Sequence, residues 1–156
     1  MRTIEVSICS SVRPTEKVDR VVSAVENIFP GLVMDIRSDK IEAYGGADGL
    51  KTLHEMLRRQ RILDSARSVM RRGLVGETVS FQISKQAALM GVVSFPPEEE
   101  PLGSLHIQIT GGEIVIDWLA PKTLEGVPVQ EIDLPSGDAS SPDSGQGEQK
   151  DGPGGD

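Results

Sequence analysis

Six arginines fall within fifteen residues: Arg58, Arg59, Arg61, Arg67, Arg71 and Arg72, with Asp64 the single acid among them. That local excess of positive charge stands in a chain of 156 residues whose 24 acids outnumber its 16 lysines and arginines, for a formal net charge of −8. Arginine suits phosphate because its planar fork offers two parallel hydrogen bonds at once. A row of arginines with small hydroxyl residues between them therefore has the composition of a surface that follows a nucleic-acid backbone. Read as one helix at about 100° per residue, Arg58, Arg61, Ser65, Ser68 and Arg72 form one stripe, with Gln60, Asp64, Arg67 and Arg71 on its flank. Arg59 falls among the apolar positions, so its guanidinium is expected to be paired or stacked inside. The candidate nucleic-acid-binding residues are Arg58, Arg61, Arg67, Arg71 and Arg72, joined by Lys85. The same arginines also admit a structural reading, as ion-pair partners of the acidic remainder. Both readings stay open on sequence alone.

Other chemistry is sparse. With one cysteine and two histidines, the chain has few ligands for a metal. His54-Glu55 starts like a zincin helix, but position 58 is arginine where the second histidine is required. Cys9 and His106 both fall on the outward, polar side of their strands, and Cys9 has no sequence-adjacent base to activate it. Glu98-Glu99-Glu100, in a proline-rich loop, reads as a solvated charge run. Gly46-Ala47-Asp48-Gly49 and Gly73-Leu74-Val75-Gly76 match the G-x-x-G clamp of K-homology domains. The first places Asp48 where a phosphate would approach, and the second follows a helix end that expects glycine anyway. No phosphate-binding glycine loop or nucleophile elbow occurs, so no catalytic residue, cofactor or metal is expected, and an enzyme is not. With five aromatic residues in the chain, reading of single strands by stacking is disfavoured.

The elements that must position the arginines follow from hydrophobic spacing. Ile4, Val6, Ile8 and Val12 alternate with polar residues as a strand, and Val18, Val21, Val22, Val25 and Ile28 form a helical stripe ended by Pro30-Gly31. Strands are expected over 32–37 and 40–45, with Asp48 as a helix N-cap. Residues 49–72 read as helix closed by Gly73, but the apolar stripe reverses phase. Leu50, Leu53 and Leu57 share one face, whereas Ile62, Leu63, Ala66, Val69 and Met70 share nearly the opposite one. Either the helix breaks near Arg59–Arg61 or its halves pack on different surfaces. Further strands are expected at 78–83, 91–95 and 105–109, the last turning at Gly111-Gly112 into Ile114 and Ile116 as a hairpin. The order β-α-β-β-α-β-β-β-β predicts an α+β fold, a mostly antiparallel sheet with helices on one face.

Residues 1–133 are the expected single domain. From 134 to 156 the chain is rich in Gly, Ser and Pro, carries five acids and one base, and has only Leu134 and Ala139 as apolar side chains, the composition of a disordered tail. No run is long and apolar enough to span a membrane, no signal peptide opens the chain, and one cysteine fits a reducing cytoplasm.

Several motifs then come in one order: Arg13-Pro14-Thr15-Glu16, Arg61-Ile62-Leu63-Asp64-Ser65-Ala66-Arg67, Lys85-Gln86-Ala87-Ala88, Pro101-Leu102-Gly103, Asp117-Trp118-Leu119-Ala120-Pro121-Lys122-Thr123 and Gly126-Val127-Pro128. Over about residues 2–129 the chain resembles the archaeal uncharacterised protein family 0201, described as predicted RNA-binding proteins. The resemblance implies a fold similar to the ribosomal protein that binds 5S rRNA, and it implies no catalytic residue. The acidic loop between Phe95 and Pro101 and the acidic tail are this chain's departures from the pattern. Two functions stay open: a non-catalytic RNA-binding module using the arginines on phosphate, and a protein-interaction or assembly module, a homodimer among its forms, that does not bind nucleic acid.

Overall fold

The alternation of the first strand is what the structure is built around. In the computed structural model, which describes residues 4–96 and 103–134, Glu5–Ser11 (β1) buries Val6, Ile8 and Ser10 and exposes the residues between them. Val18–Ile28 (α1) follows, then Val33–Ile36 (β2) and Lys40–Gly45 (β3), a 3₁₀ turn over Ala47–Leu50, and the helices Lys51–Arg59 (α2) and Leu63–Arg72 (α3). Leu74–Val75 (β4) and Thr78–Ser84 (β5) lead into the short helix Lys85–Leu89 (α4). Ser104–Thr110 (β6), Glu113–Leu119 (α5) and a small hairpin of Thr123–Leu124 (β7) and Val127–Pro128 (β8) complete the order. The six-stranded sheet runs β2-β3-β1-β6-β5-β4 with every pairing antiparallel.

Register makes the sheet two-sided. Ile8 faces Ala43 on one side and Ile107 on the other, and Ile107 faces Phe81, so these apolar side chains form one continuous buried row. Residues directly opposite in an antiparallel pair point to the same face. Cys9 opposite Glu42 and His106 accordingly belongs to the open polar face. The helices cover the buried face, and Ala24, Val25 and Ile28 of α1 join Leu53 and Leu57 of α2, Ala66 and Met70 of α3 and Val115 and Leu119 of α5 in a single core.

The α+β fold with its antiparallel sheet is as expected, while several local assignments differ. Residues 91–95 are not a strand. The chain leaves α4 through Gly91, at φ 76°, and is held by the backbone bond from Ser84 N–H to the Ser94 carbonyl and by the amide of Gln60. Nor do Gly111 and Gly112 turn a hairpin. Their N–H groups both donate to the Glu77 carbonyl, and Glu113–Leu119 continues as helix. Ile114, Val115 and Ile116 favour strand intrinsically, but a helix buries Val115, Ile116 and Leu119 together against α2 and α3, and tertiary packing overrides propensity. Asp48 does not cap α2; it lies inside the 3₁₀ turn, where its carboxylate pairs with Lys51 at 3.6 Å. Gly73 ends α3 for a different reason from the left-handed one. Its φ is −94°, but a Cβ there would sit 1.7 Å from the Ser80 carbonyl oxygen. The tail beyond Leu134 and the Glu98–Glu100 loop lie outside the described residues; Leu134 itself is half-buried against the core.

Candidate nucleic-acid interface

The phase reversal in 49–72 is a break. Helix α2 ends at Arg59, and Arg61 takes a left-handed φ of 59° before α3 starts at Leu63. A non-glycine residue in that region is strained by contact between its Cβ and the backbone. The Gln60 side chain pins the junction, donating to the Val93 carbonyl at 2.8 Å and accepting from the Val93 N–H at 2.9 Å. Leu50, Leu53 and Leu57 and the apolar face of α3 thereby enter the same core instead of separate surfaces.

The break redistributes the arginines. Arg58 leaves the expected stripe and turns towards α5. Its Nε and Nη2 donate to the two carboxylate oxygens of Glu131 at 2.8 and 2.5 Å. Its Nη1 donates to the His54 and Leu119 carbonyls, and Nη2 also reaches the Trp118 carbonyl. Five bonds match the five N–H groups of a guanidinium, so Arg58 has no donor left for a phosphate. Its bond to Glu131 holds that carboxyl below the usual carboxylate range. His54 lies on Trp118 with ring centroids 4.5 Å apart, and burial, then the neighbouring Arg58 charge, pushes its imidazole below the ordinary value.

Arg67 and Arg71 face α5 as well. Arg67 donates to Asp117 at 3.0 Å and to the Ala120 carbonyl at 3.1 Å, and Arg71 meets Glu113 at 2.5 Å. Asp117 and Glu113 stand one turn apart on α5, as Arg67 and Arg71 do on α3, so the two antiparallel helices are laced by a two-rung charge ladder. The sequence pattern does not suggest that role for these acids, because Ile114-Val115-Ile116 favours a strand.

What remains outward is a shorter stripe. Arg61, Ser65, Ser68 and Arg72 are exposed, neither arginine has an ion pair among the described residues, and Arg72 donates to the Ser68 hydroxyl at 3.1 Å. Arg59 is exposed too, contrary to its expected inward position. That expectation extended the apolar face of α3 backward across the break. Lys85 lies elsewhere, only 4% exposed, with Nζ donating to the Ser11 carbonyl at 2.9 Å and to both Glu16 oxygens at 3.0 and 3.2 Å. The structure thus leaves Arg72 exposed on α3 and Arg61 exposed at the junction before it, gives Arg58, Arg67 and Arg71 carboxylate partners, and buries Lys85. Lys17, which caps α1 and is expected from the sequence to matter little for RNA, and Arg20 within the helix are exposed and without ion pairs among the described residues. Their spacing of three was the available signal.

No group of three or more His, Cys, Asp or Glu able to hold a metal occurs among the described residues. No described helix is long and apolar enough to cross a membrane.

Residues 5–111 match the family described as RNA binding. The UPF0201 protein of Saccharolobus solfataricus is 40% identical over 141 residues, taking in 85% of this chain and 97% of that protein. The crystal structure of the UPF0201 protein from Methanococcus jannaschii superposes with a TM-score of 0.71 at 33% identity, over 81% of this chain and 99% of that one. A longer Archaeoglobus fulgidus protein, named UPF0200/UPF0201, is 37% identical over 136 residues, and the matched region makes up 42% of its length.

Proposed function

The chain belongs to the UPF0201 family of archaeal proteins, and from that premise we propose that it is a non-catalytic RNA-binding module that holds the phosphate backbone on the outward face of α3. The observation that carries the reading is the exposed pair Arg61 and Arg72, with Ser65 and Ser68 between them, in a family described as RNA binding. Of the arginines expected to contact phosphate, these two have guanidinium groups free of carboxylates among the described residues, and exposed Arg59 adds a third cation at the junction. Arg58, Arg67 and Arg71 serve by holding α5 and the segment around Glu131 against the helices that display the others. Lys85, in its buried pair with Glu16, is left out of the contact set.

The test is binding to total cellular RNA at two salt concentrations. Phosphate contacts release counterions, so affinity should fall steeply with salt. The double variant Arg61→Glu/Arg72→Glu should lose most of the affinity and flatten the salt dependence while melting like the parent. An unaltered affinity in the folded double variant, or no RNA binding by the parent at low salt, would end this reading.

A second reading has its own support. In the Archaeoglobus fulgidus protein the matched region is one part of a longer chain, which is the arrangement of a module that works beside another protein. On this reading the chain is an interaction or assembly module. Val33 and Tyr44, paired across the outer strands β2 and β3 and both exposed, supply apolar surface for contact. A parent protein that ignores RNA but sediments as a dimer would favour it.

A further inference from the structure

A second cleft, of about 560 Å³, lies between α1 and α4 and shares no lining residue with the arginine stripe of α3. We propose that it binds a nucleoside phosphate, either free or as one nucleotide of an RNA strand. This goes beyond the RNA reading of α3 and stands or falls separately from it.

The volume lies within the roughly 300–1,000 Å³ of small-molecule sites, and the two kinds of lining residue, cationic and apolar, suit the two halves of a nucleotide. Its lining includes the cations Lys17 and Arg20 and the polar Thr15 and Gln86. It also includes the apolar Val21, Ala24, Leu89 and Met90. On α1, Arg20, Val21 and Ala24 are one, three or four residues apart and all line the cleft, and Lys17, the residue that caps the helix start, joins them. Asp19, in the same turn, points roughly the opposite way.

Glu16 is the single carboxylate lining the cleft, and it is neutralised internally. Lys85 Nζ donates to both its oxygens, and the Arg13 backbone N–H donates to Oε1 at 2.9 Å. Lys17 and Arg20 are left as uncompensated charge, having no ion pair among the described residues. Met90 closes α4 with 78% of its surface exposed, a polarizable apolar side chain at the rim where a planar base can lie. Thr15 and Gln86 add neutral donors and acceptors for a ribose or a base edge. A bare anion has no use for the apolar lining, and a purely apolar ligand has none for the two cations. The cleft is also held open in advance. Asn27 of α1 donates its amide to the Ala88 and Leu89 carbonyls at 3.0 and 3.1 Å, fixing the distance between the helices, which lowers the cost of ordering on binding.

The test follows the amide resonances of residues 15–24 and 85–90 in the full chain. It is titrated separately with AMP, inorganic phosphate, adenosine and a short single-stranded oligoribonucleotide. AMP or the oligonucleotide should shift these resonances and bind more tightly than phosphate or adenosine. Lys17→Glu/Arg20→Glu should weaken that binding by about tenfold or more, as expected for lost charge-assisted bonds. Its melting curve should stay in place, because acids at a helix N-terminus are favourable. Arg61→Glu/Arg72→Glu should leave AMP binding unchanged, whatever becomes of RNA binding. Shifts with AMP identify a free nucleotide as sufficient, and shifts with the oligonucleotide alone identify a nucleotide within a strand. No shift with either, equal binding of phosphate and AMP, or undiminished binding by Lys17→Glu/Arg20→Glu would overturn the proposal.

Discussion

The two sides of α3 carry the same residue type in opposite circumstances. Towards α5, Arg67 and Arg71 each meet a carboxylate, and Arg58 from α2 completes the same seam with five hydrogen bonds. Towards solvent, Arg72, and Arg61 just before the helix, have no carboxylate among the described residues. The cleft along the seam, about 640 Å³ and lined by Arg67, Arg71, Glu113 and Asp117, holds as many acids as it holds of these arginines. Charge density in a sequence thus divides into cations that complete a fold and cations left for a partner. The division is made by which side of one helix faces acids that arrive from elsewhere in the chain.

The sharpest way to break the comparison is at Arg58. Arg58→Ala strips the part-buried Leu119 and Trp118 carbonyls of their donor, and unsatisfied buried groups cost about 1–3 kcal/mol each, while exposed Glu131 loses its partner at little further cost. A loss of about 3 kcal/mol in urea unfolding is expected. RNA affinity should be retained wherever the variant is still folded. Lys85→Met belongs with it, because it leaves the Glu16 carboxylate, only 13% exposed, without its cation, and breaking such a pair costs about 3–5 kcal/mol. Normal stability of either variant would move that residue to the displayed class.

How much of this was legible beforehand follows from where the information lies. The sheet strands around the centre and the break near Arg59–Arg61 could be read, because local periodicity records which side of an element is buried. The α5 helix could not. Gly111-Gly112 followed by Ile114-Val115-Ile116 looks like a hairpin entering a strand, and the bonds from both glycine N–H groups to the Glu77 carbonyl come from a residue far back in the chain. Once α5 was read as strand, Glu113 and Asp117 had no turn-spaced face to offer Arg71 and Arg67. The Arg58 partners were hidden similarly, since its bond to Glu131 crosses 73 positions. The outward positions were legible in part: Arg61, Ser65, Ser68 and Arg72 are exposed, while one continuous helix across the break would put Arg58 outward and Arg59 inward.

A smaller effect tests the seam through its titration. The imidazole of His54 is pushed below its ordinary value by burial and by Arg58, so the unfolded chain takes up a proton more readily there than the folded one. Stability linked to this site is fully present above the ordinary imidazole range of about 6.5 and declines as pH falls through it. Glu131, also shifted down, adds a loss at lower pH, as the medium is acidified through the carboxylate range. Chemical unfolding from pH 8 to pH 5 should show a shallow decline that His54→Gln flattens. An identical slope in that variant would show that the proton is taken up elsewhere.

The smallest expected change separates fold from display at a single residue. Arg61 is held at φ 59°, where glycine carries no Cβ penalty. The left-handed conformation costs an L-residue roughly 1–2 kcal/mol, partly offset by the extra freedom glycine has when unfolded. Arg61→Gly should therefore leave stability unchanged or raise it by up to about 1 kcal/mol. If Arg61 is displayed for RNA, the same variant should bind RNA less well than the parent and lose roughly one unit of salt dependence. Arg61→Lys, which keeps both the strain and the charge, should keep the parent's stability and most of its affinity. Improved stability with weakened RNA binding in Arg61→Gly is the outcome expected of a strained residue retained for its charge. Reduced stability would instead place the Arg61 side chain among the groups that hold the junction of α2 and α3.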